Sequence, residues 1–185
     1  MNKVFFIIGA CGSGKTLAIE NIQKRLPKAF NYCFYDTLGA PTDEEVYREY
    51  GNWDAWHMHL TDAWIRRIKQ RLIMKNHTVI DCQARPDVIE RLCDAYGIDS
   101  YEIILLDCSL GERKRRLYER AVPHIVNPSL EPWTRYLHDE CEKRGYMIID
   151  NSDIPPEETR DKLIEHMRQS IGHPKTKLVR AKVTG

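Results

Sequence analysis

No run of residues in this chain stays apolar over the length needed to cross a bilayer, so no transmembrane segment is expected. Neither sign of charge prevails: 28 Lys and Arg stand against 27 Asp and Glu in 185 residues, a net charge of +1. That balance leaves no electrostatic footprint for wrapping nucleic acid or lying on an anionic membrane, and neither is expected as a partner. Cysteine occurs at 11, 33, 82, 93, 108 and 141, but never as C-x-x-C and never with histidine at zinc-ligand spacing. Several of the six fall in or beside predicted strands, which favours reduced, buried thiols over disulfides. The seven histidines form no metal or catalytic pattern by spacing. Internal repeats are missing, and the first predicted strand begins within three residues of Met1. That leaves no room for a signal peptide, so a cytoplasmic protein is expected.

What is present begins with Gly9-Ala10-Cys11-Gly12-Ser13-Gly14-Lys15-Thr16, which fits G-x-x-x-x-G-K-[ST]. Glycines in such a loop let the backbone turn tightly and bring its N–H groups against phosphate oxygens. The helix that follows adds its positive N-terminus. Lys15 is expected on the β- and γ-phosphates, and the Thr16 hydroxyl on Mg²⁺. The context agrees, because Val4-Phe5-Phe6-Ile7-Ile8 reads as a strand buried on both faces and Leu17 to Leu26 keeps helical spacing until Pro27. Binding of ATP or GTP follows. Cys11 sits inside the loop, where it reads as a small filler.

Strand and helix alternate along the rest of the chain. Strands are expected over 31–35, 78–82, 101–107 and 146–150. Thr42-Asp43-Glu44-Glu45 and Ser109-Leu110-Gly111-Glu112 read as capping boxes. Trp53, Trp56, Leu60, Trp64, Ile68 and Leu72 mark one face of a long helix; Pro86 opens another, and helix resumes near Trp133 after prolines at 123, 128 and 132. A last helix starts at Pro155 or Pro156. Five β–α units imply a three-layer α/β fold with a five-stranded parallel sheet, a P-loop NTPase fold with a helical lid at about 121–132. One domain over residues 1–171 and a mobile basic tail over 172–185 complete the expected organisation.

Asp36, Asp81, Asp107 and Asp150 all end predicted strands, which in a parallel sheet puts them on the same edge as the phosphate loop. Asp after a strand is also an ordinary turn residue, so not all four need be functional. Asp36 and Asp81 are preferred. Arg113, Arg116 and Arg120 share one helix face by spacing, and a guanidinium fork matches the oxygens of a transferring phosphoryl group. The tryptophan stripe fits core packing better than recognition, although Trp56 remains a candidate contact for substrate.

These motifs resemble those of the small P-loop kinases, the group of adenylate, shikimate and gluconate kinases, nearest in pattern to the chloramphenicol phosphotransferases, over residues 3 to about 170. The resemblance implies that Asp36 is the catalytic base toward an acceptor hydroxyl and that Asp81 helps hold Mg²⁺ through water. It places Arg85, in Asp81-Cys82-Gln83-Ala84-Arg85, on the acceptor. It makes Arg116 and Arg120 lid arginines, and packs the loop with Asn151, Ser152 and Ile154 over adenine. The sequence departs from the adenylate kinase pattern at Gly39 and at Cys82-Gln83-Ala84, which weakens a nucleotide acceptor. The expectation is an ATP- and Mg²⁺-dependent kinase acting on a hydroxyl of a small molecule such as an antibiotic or sugar. A nucleoside monophosphate or polynucleotide kinase and a nucleotide-gated binding protein are the alternatives. Oligomeric state has no signature.

Overall fold

The first strand, β1 (Val4–Ile8), has no polar residue to turn toward water, and all five side chains are buried. Such a strand is stable only inside a sheet covered on both faces. The computed structural model, which describes residues 2–39, 41–71, 76–123 and 126–172, puts it there. With β2 (Phe30–Phe34), β3 (His77–Cys82), β4 (Tyr101–Asp107) and β5 (Met147–Asp150) it forms a sheet in the order β2-β3-β1-β4-β5. Every pairing is parallel, and Phe6 stands opposite Ile80 on one side and Ile103 on the other. All carboxyl ends therefore share one edge. The expected five-stranded parallel α/β architecture is the one observed.

The helices are α1 (Lys15–Arg25), α2 (Asp43–Tyr50), α3 (Trp53–Arg71), α4 (Pro86–Ala95), α5 (Leu110–Glu119), α6 (Leu130–Arg144) and α7 (Pro156–Gly172). Strand alternation divides β1 between two cores. Val4, Phe6 and Ile8 pack with Trp64, Ile65 and Ile68 of α3, Ile89 of α4 and Leu137 of α6. Phe5 and Ile7 face the opposite way, against Ile19 and Ile22 of α1 and Leu163 and Met167 of α7. Each such side chain contributes about 1.5–3 kcal/mol on burial. Among the described residues no helix is long and apolar enough to cross a membrane.

Local signals mostly hold, with instructive exceptions. The Thr42 box closes in both directions: the Glu45 N–H donates to Thr42 Oγ1 at 3.3 Å and the Thr42 N–H to Glu45 Oε2 at 2.8 Å. The Ser109 box is only half formed. Ser109 Oγ accepts from the Glu112 N–H at 3.2 Å, but the Glu112 carboxylate is drawn away by Arg115 and Arg116. Ser152 Oγ takes its place as acceptor for the Ser109 N–H, at 2.7 Å. Helix α6 begins at Leu130, earlier than Trp133, because Pro132 falls in its first turn, where a missing N–H costs nothing. Of the expected lid, Val122 and Val126 pack partly buried against the core and Leu130 is buried; His124 and Ile125 lie outside the described residues. So do Leu72 of the tryptophan stripe and the basic tail beyond Gly172. The described cysteines are all free thiols, and burial pushes Cys33 to about 11 and Cys82 and Cys141 to about 12.

Candidate active site

The loop from Gly9 to Gly14 turns β1 into α1 at the carboxyl edge of the sheet. Gly14 caps α1 in the left-handed region (φ 88°); it has no side chain to bond the helix's first N–H groups, and the first turn holds no acid. Those donors and the helix dipole are left for an anion. Glycine is required on the far side too: a Cβ on Gly12 would come within 2.9 Å of Arg113 Cγ. Lys15 is buried beneath the loop, its ammonium donating to the Ala10 carbonyl at 3.4 Å. Ser13 is fully buried, and its hydroxyl oxygen has no hydrogen-bond partner. A buried polar atom without a partner is costly in a finished structure, so it marks the nest as a place built for a polar ligand.

Three arginines that looked equivalent by spacing have three different fates. Arg113 is wholly buried and acts as a brace. It donates to the Cys11 carbonyl at 3.1 Å, the Cys108 carbonyl at 2.9 Å and Asp107 Oδ1 at 2.9 Å. Arg116 donates to the Ser13 carbonyl at 3.3 Å, Asn151 Oδ1 at 3.0 Å and the Asn151 carbonyl at 2.8 Å. Its guanidinium lies 3.6 Å from where a Cβ on Gly14 would be, so it borders the nest. Arg120 stands exposed at the C-terminus of α5. Asn151 Nδ2 adds a bond to the Ser13 carbonyl at 2.9 Å, while Ser152 joins the loops after β4 and β5, with Ile154 partly buried beside them.

The four aspartates at the sheet edge divide likewise. Although β4 adjoins β1, its Asp107 is taken by Arg113 on one oxygen and His138 Nδ1 on the other, at 3.1 Å. Asp150 caps the next turn, accepting from the Ser152 N–H and hydroxyl. Asp81 is buried and accepts from Thr16 Oγ1 at 2.5 Å, which ties the end of β3 to the start of α1. Asp36 lies just past β2 in a 3-10 turn, Tyr35–Leu38. That turn is anchored by α3: Tyr35 Oη donates to the His57 carbonyl at 2.9 Å, and Trp64 Nε1 to the Tyr35 carbonyl at 3.0 Å. Solvent reaches Asp36, yet the surrounding protein displaces enough water to raise its pKa above the ordinary 3.8, and the Asp81 charge adds to the rise. Lys15 and His57 pull it back without cancelling the shift.

A crevice opens between α3, the loop after β3 and α6, lined by Asp54, His57, Thr61, Gln83, Arg85 and Trp133 among others. Arg85 is on its wall, donating from Nε to Asp87 Oδ1 at 3.2 Å and to Tyr136 Oη at 3.1 Å. Trp56 is elsewhere: it is buried against Tyr50, with ring centroids 5.0 Å apart, and belongs to the core. Sequence spacing passed over His57. Its ring stacks on Tyr35 at 6.2 Å, Nδ1 is buried without a partner, and burial lowers its pKa below 6.5 against the pull of Asp54 and Asp36.

No protein-family model matches this sequence, and no curated protein matches it. Solved structures do match in fold. A gluconokinase from Sinorhizobium meliloti superposes with a TM-score of 0.66 at 16% identity, over 95% of this chain and 98% of that one. Shikimate kinase from Acinetobacter baumannii, in complex with shikimate, gives 0.59 at 15% identity over 96% of both chains. The Mycobacterium tuberculosis APS kinase, in complex with AMPPNP and APS, gives 0.58 at 13% identity over 90% and 97%. The chain therefore has the fold of the small P-loop kinases.

Proposed function

We propose that this chain is a kinase that passes the γ-phosphoryl group of ATP to a hydroxyl of a small molecule. The reading rests on Asp36, which follows β2 at the carboxyl edge of the sheet, within electrostatic reach of Lys15 and Asp81, and whose pKa is raised. Loop N–H groups and the α1 terminus bind the polyphosphate, and the Lys15 ammonium shifts from the Ala10 carbonyl to the phosphate oxygens. Arg116, held by Ser13 and Asn151, meets charge that develops on the transferring group, and Arg120 joins it when residues 121–132 close. Closure keeps water from competing with the acceptor. The loop of Asn151, Ser152 and Ile154 packs against the base.

Mg²⁺ fits this donor set. Among the described residues no group of three or more His, Cys, Asp or Glu could hold a metal alone. Mg²⁺ does not require one, since it binds a hydroxyl or carboxylate together with water and substrate phosphate. Thr16 Oγ1 and Asp81 are the protein groups that would hold it. When bound, it neutralises charge on the phosphate oxygens.

Asp36 orients the acceptor hydroxyl and takes its proton. A raised pKa makes it a stronger base than an ordinary aspartate, and a positioned base contributes roughly 10²–10⁴-fold in rate. The test is ADP formation by purified protein with ATP and Mg²⁺ across antibiotics, sugars, nucleosides and nucleoside monophosphates. ADP that appears stoichiometrically with a hydroxyl acceptor supports the reading. Nucleotide binding with no acceptor-dependent ADP would point to a binding protein, and turnover of monophosphates alone to a nucleotide kinase.

A further inference from the structure

The acceptor crevice carries an electrostatic statement of its own. Arg85 is its only arginine or lysine among the described lining residues. Its Nε is engaged by Asp87 Oδ1 at 3.2 Å and by Tyr136 Oη at 3.1 Å, and its plane lies over the Tyr136 ring, 5.0 Å from the centroid. Asp54, on the opposite wall, has no hydrogen bond or salt bridge among the described residues, and both it and Asp36 lie within electrostatic reach of His57, with Lys15 acting on Asp36 as well. Because the pKa of His57 is lowered, its ring is neutral at pH 7 and adds no positive charge. An anionic acceptor entering here would face the carboxylates of Asp54, Asp87 and Asp36, with Arg85 the one guanidinium on the described wall. An ammonium or hydroxyl would meet Asp54 with nothing to displace.

The rest of the wall describes a body for that acceptor. Trp133, stacked on Tyr136 at 5.5 Å, offers a flat apolar face, with Met58, Val88 and Ala84 around it. Thr61 and Gln83 are polar and uncharged, and the buried Nδ1 of His57 lacks a partner. Building on the kinase reading, we infer that the acceptor is a hydroxyl compound without negative charge, neutral or amine-bearing. Asp54 reads its amine or a second hydroxyl, and His57 Nδ1 bonds a polar group on it. Asp54 and His57 are thus specificity-determining residues. The chain shares its fold with a structure that binds shikimate, a carboxylate, but not the charge class of that ligand.

A matched set of probes isolates charge from shape: gluconate, sorbitol and glucamine carry a carboxylate, a hydroxyl and an ammonium at the same end of one polyol chain. These would be run beside a wider panel of hydroxyl compounds sorted into the same three charge classes, reading ADP formed above the ATP-only background. Acceleration should come from neutral and amine-bearing compounds, with matched carboxylates at least tenfold lower in kcat/KM. Asp54→Asn, a change at an exposed position, should narrow the ratio of amine to carboxylate, and His57→Phe should raise KM more than it lowers kcat. Carboxylates that work as well as their amines would overturn the inference and leave the kinase reading intact. If no class accelerates ADP formation while nucleotide still binds, the kinase reading fails first and the inference falls with it.

Discussion

Arg116 holds Asn151 at two points, its Nη1 on Oδ1 at 3.0 Å and its Nη2 on the carbonyl at 2.8 Å, and both residues then reach the Ser13 carbonyl. The helix after β4, the loop after β5 and the phosphate loop are joined at one atom. Bidentate arginine contacts of this kind set geometry as well as energy. Nucleotide affinity should therefore depend on Arg116 and Asn151 together. Arg116→Ala and Asn151→Ala should each weaken ATP binding, and the double variant should lose less than the two losses added. A double-mutant cycle by calorimetry should show a coupling of about 0.5–3 kcal/mol, the range for residues in one network. Strict additivity would mean that the two act separately.

Lys15→Ala should leave the fold of the free protein in place and remove stabilisation by Mg·ATP. Ligand present at about 100 Kd raises stability by about 2.7 kcal/mol. Thermal melts with and without nucleotide read this directly. A variant that melts higher with ATP, by as much as the wild type does, would place the nucleotide somewhere other than this loop.

For Asp36→Asn, turnover of an identified hydroxyl acceptor should fall by roughly 10²–10⁴-fold with ATP affinity preserved. The raised pKa also fixes two pH effects. In wild type the acidic limb of kcat should lie above the ordinary carboxylate value of 3.8. A carboxyl whose folded pKa exceeds its unfolded one adds stability when protonated and loses that contribution as pH rises through the folded value. Asp36→Asn should accordingly raise the melting temperature at neutral pH, and the gain should shrink on acidification. A variant less stable than wild type at pH 7 would contradict the raised pKa assigned to this carboxylate.

Removing Arg113 should be costly in a different way. Arg113→Met would leave Asp107 without its cation and the Cys11 and Cys108 carbonyls without their donor. Breaking a buried pair from one side costs about 3–5 kcal/mol. Arg113→Lys should recover only part, because an ammonium does not reproduce the fork. Denaturant melts give the number, and a loss below 1 kcal/mol would show that the brace is dispensable.

At the amino end of the sheet, burial would push the Glu102 carboxyl up, but bonds from His166, Ser170 and Lys3 outweigh it and bring the pKa down to about 2. A depressed pKa contributes stability above the unfolded value, near 4.5, and loses it as pH falls toward 2. The stability difference between wild type and Glu102→Gln should be largest above pH 5 and should close on acidification through that window. A difference independent of pH would mean that packing, not charge, is what Glu102 supplies.

The phosphate loop was legible because it is contiguous: eight residues, a buried strand before them and a helix after. The parallel sheet was legible because β1 has no polar side to show to water, and strand–helix alternation leaves few ways to cover it. Parallel order then puts Asp36 and Asp81 on the loop's edge. What sequence left undivided was decided by packing. Arg113, Arg116 and Arg120 share a helix face by spacing, yet only the seating of α5 against Gly12 buries the first, docks the second on Asn151 and leaves the third in solvent. Asp107 and Asp81 end strands on either side of β1, and the arginine beside one and the Thr16 hydroxyl beside the other give them different work. The crevice had no linear signature at all. Asp54 and His57 of α3, Gln83 and Arg85 after β3, and Trp133 of α6 meet because three helices pack on one face of the sheet, a condition set by contacts among residues far apart in the chain.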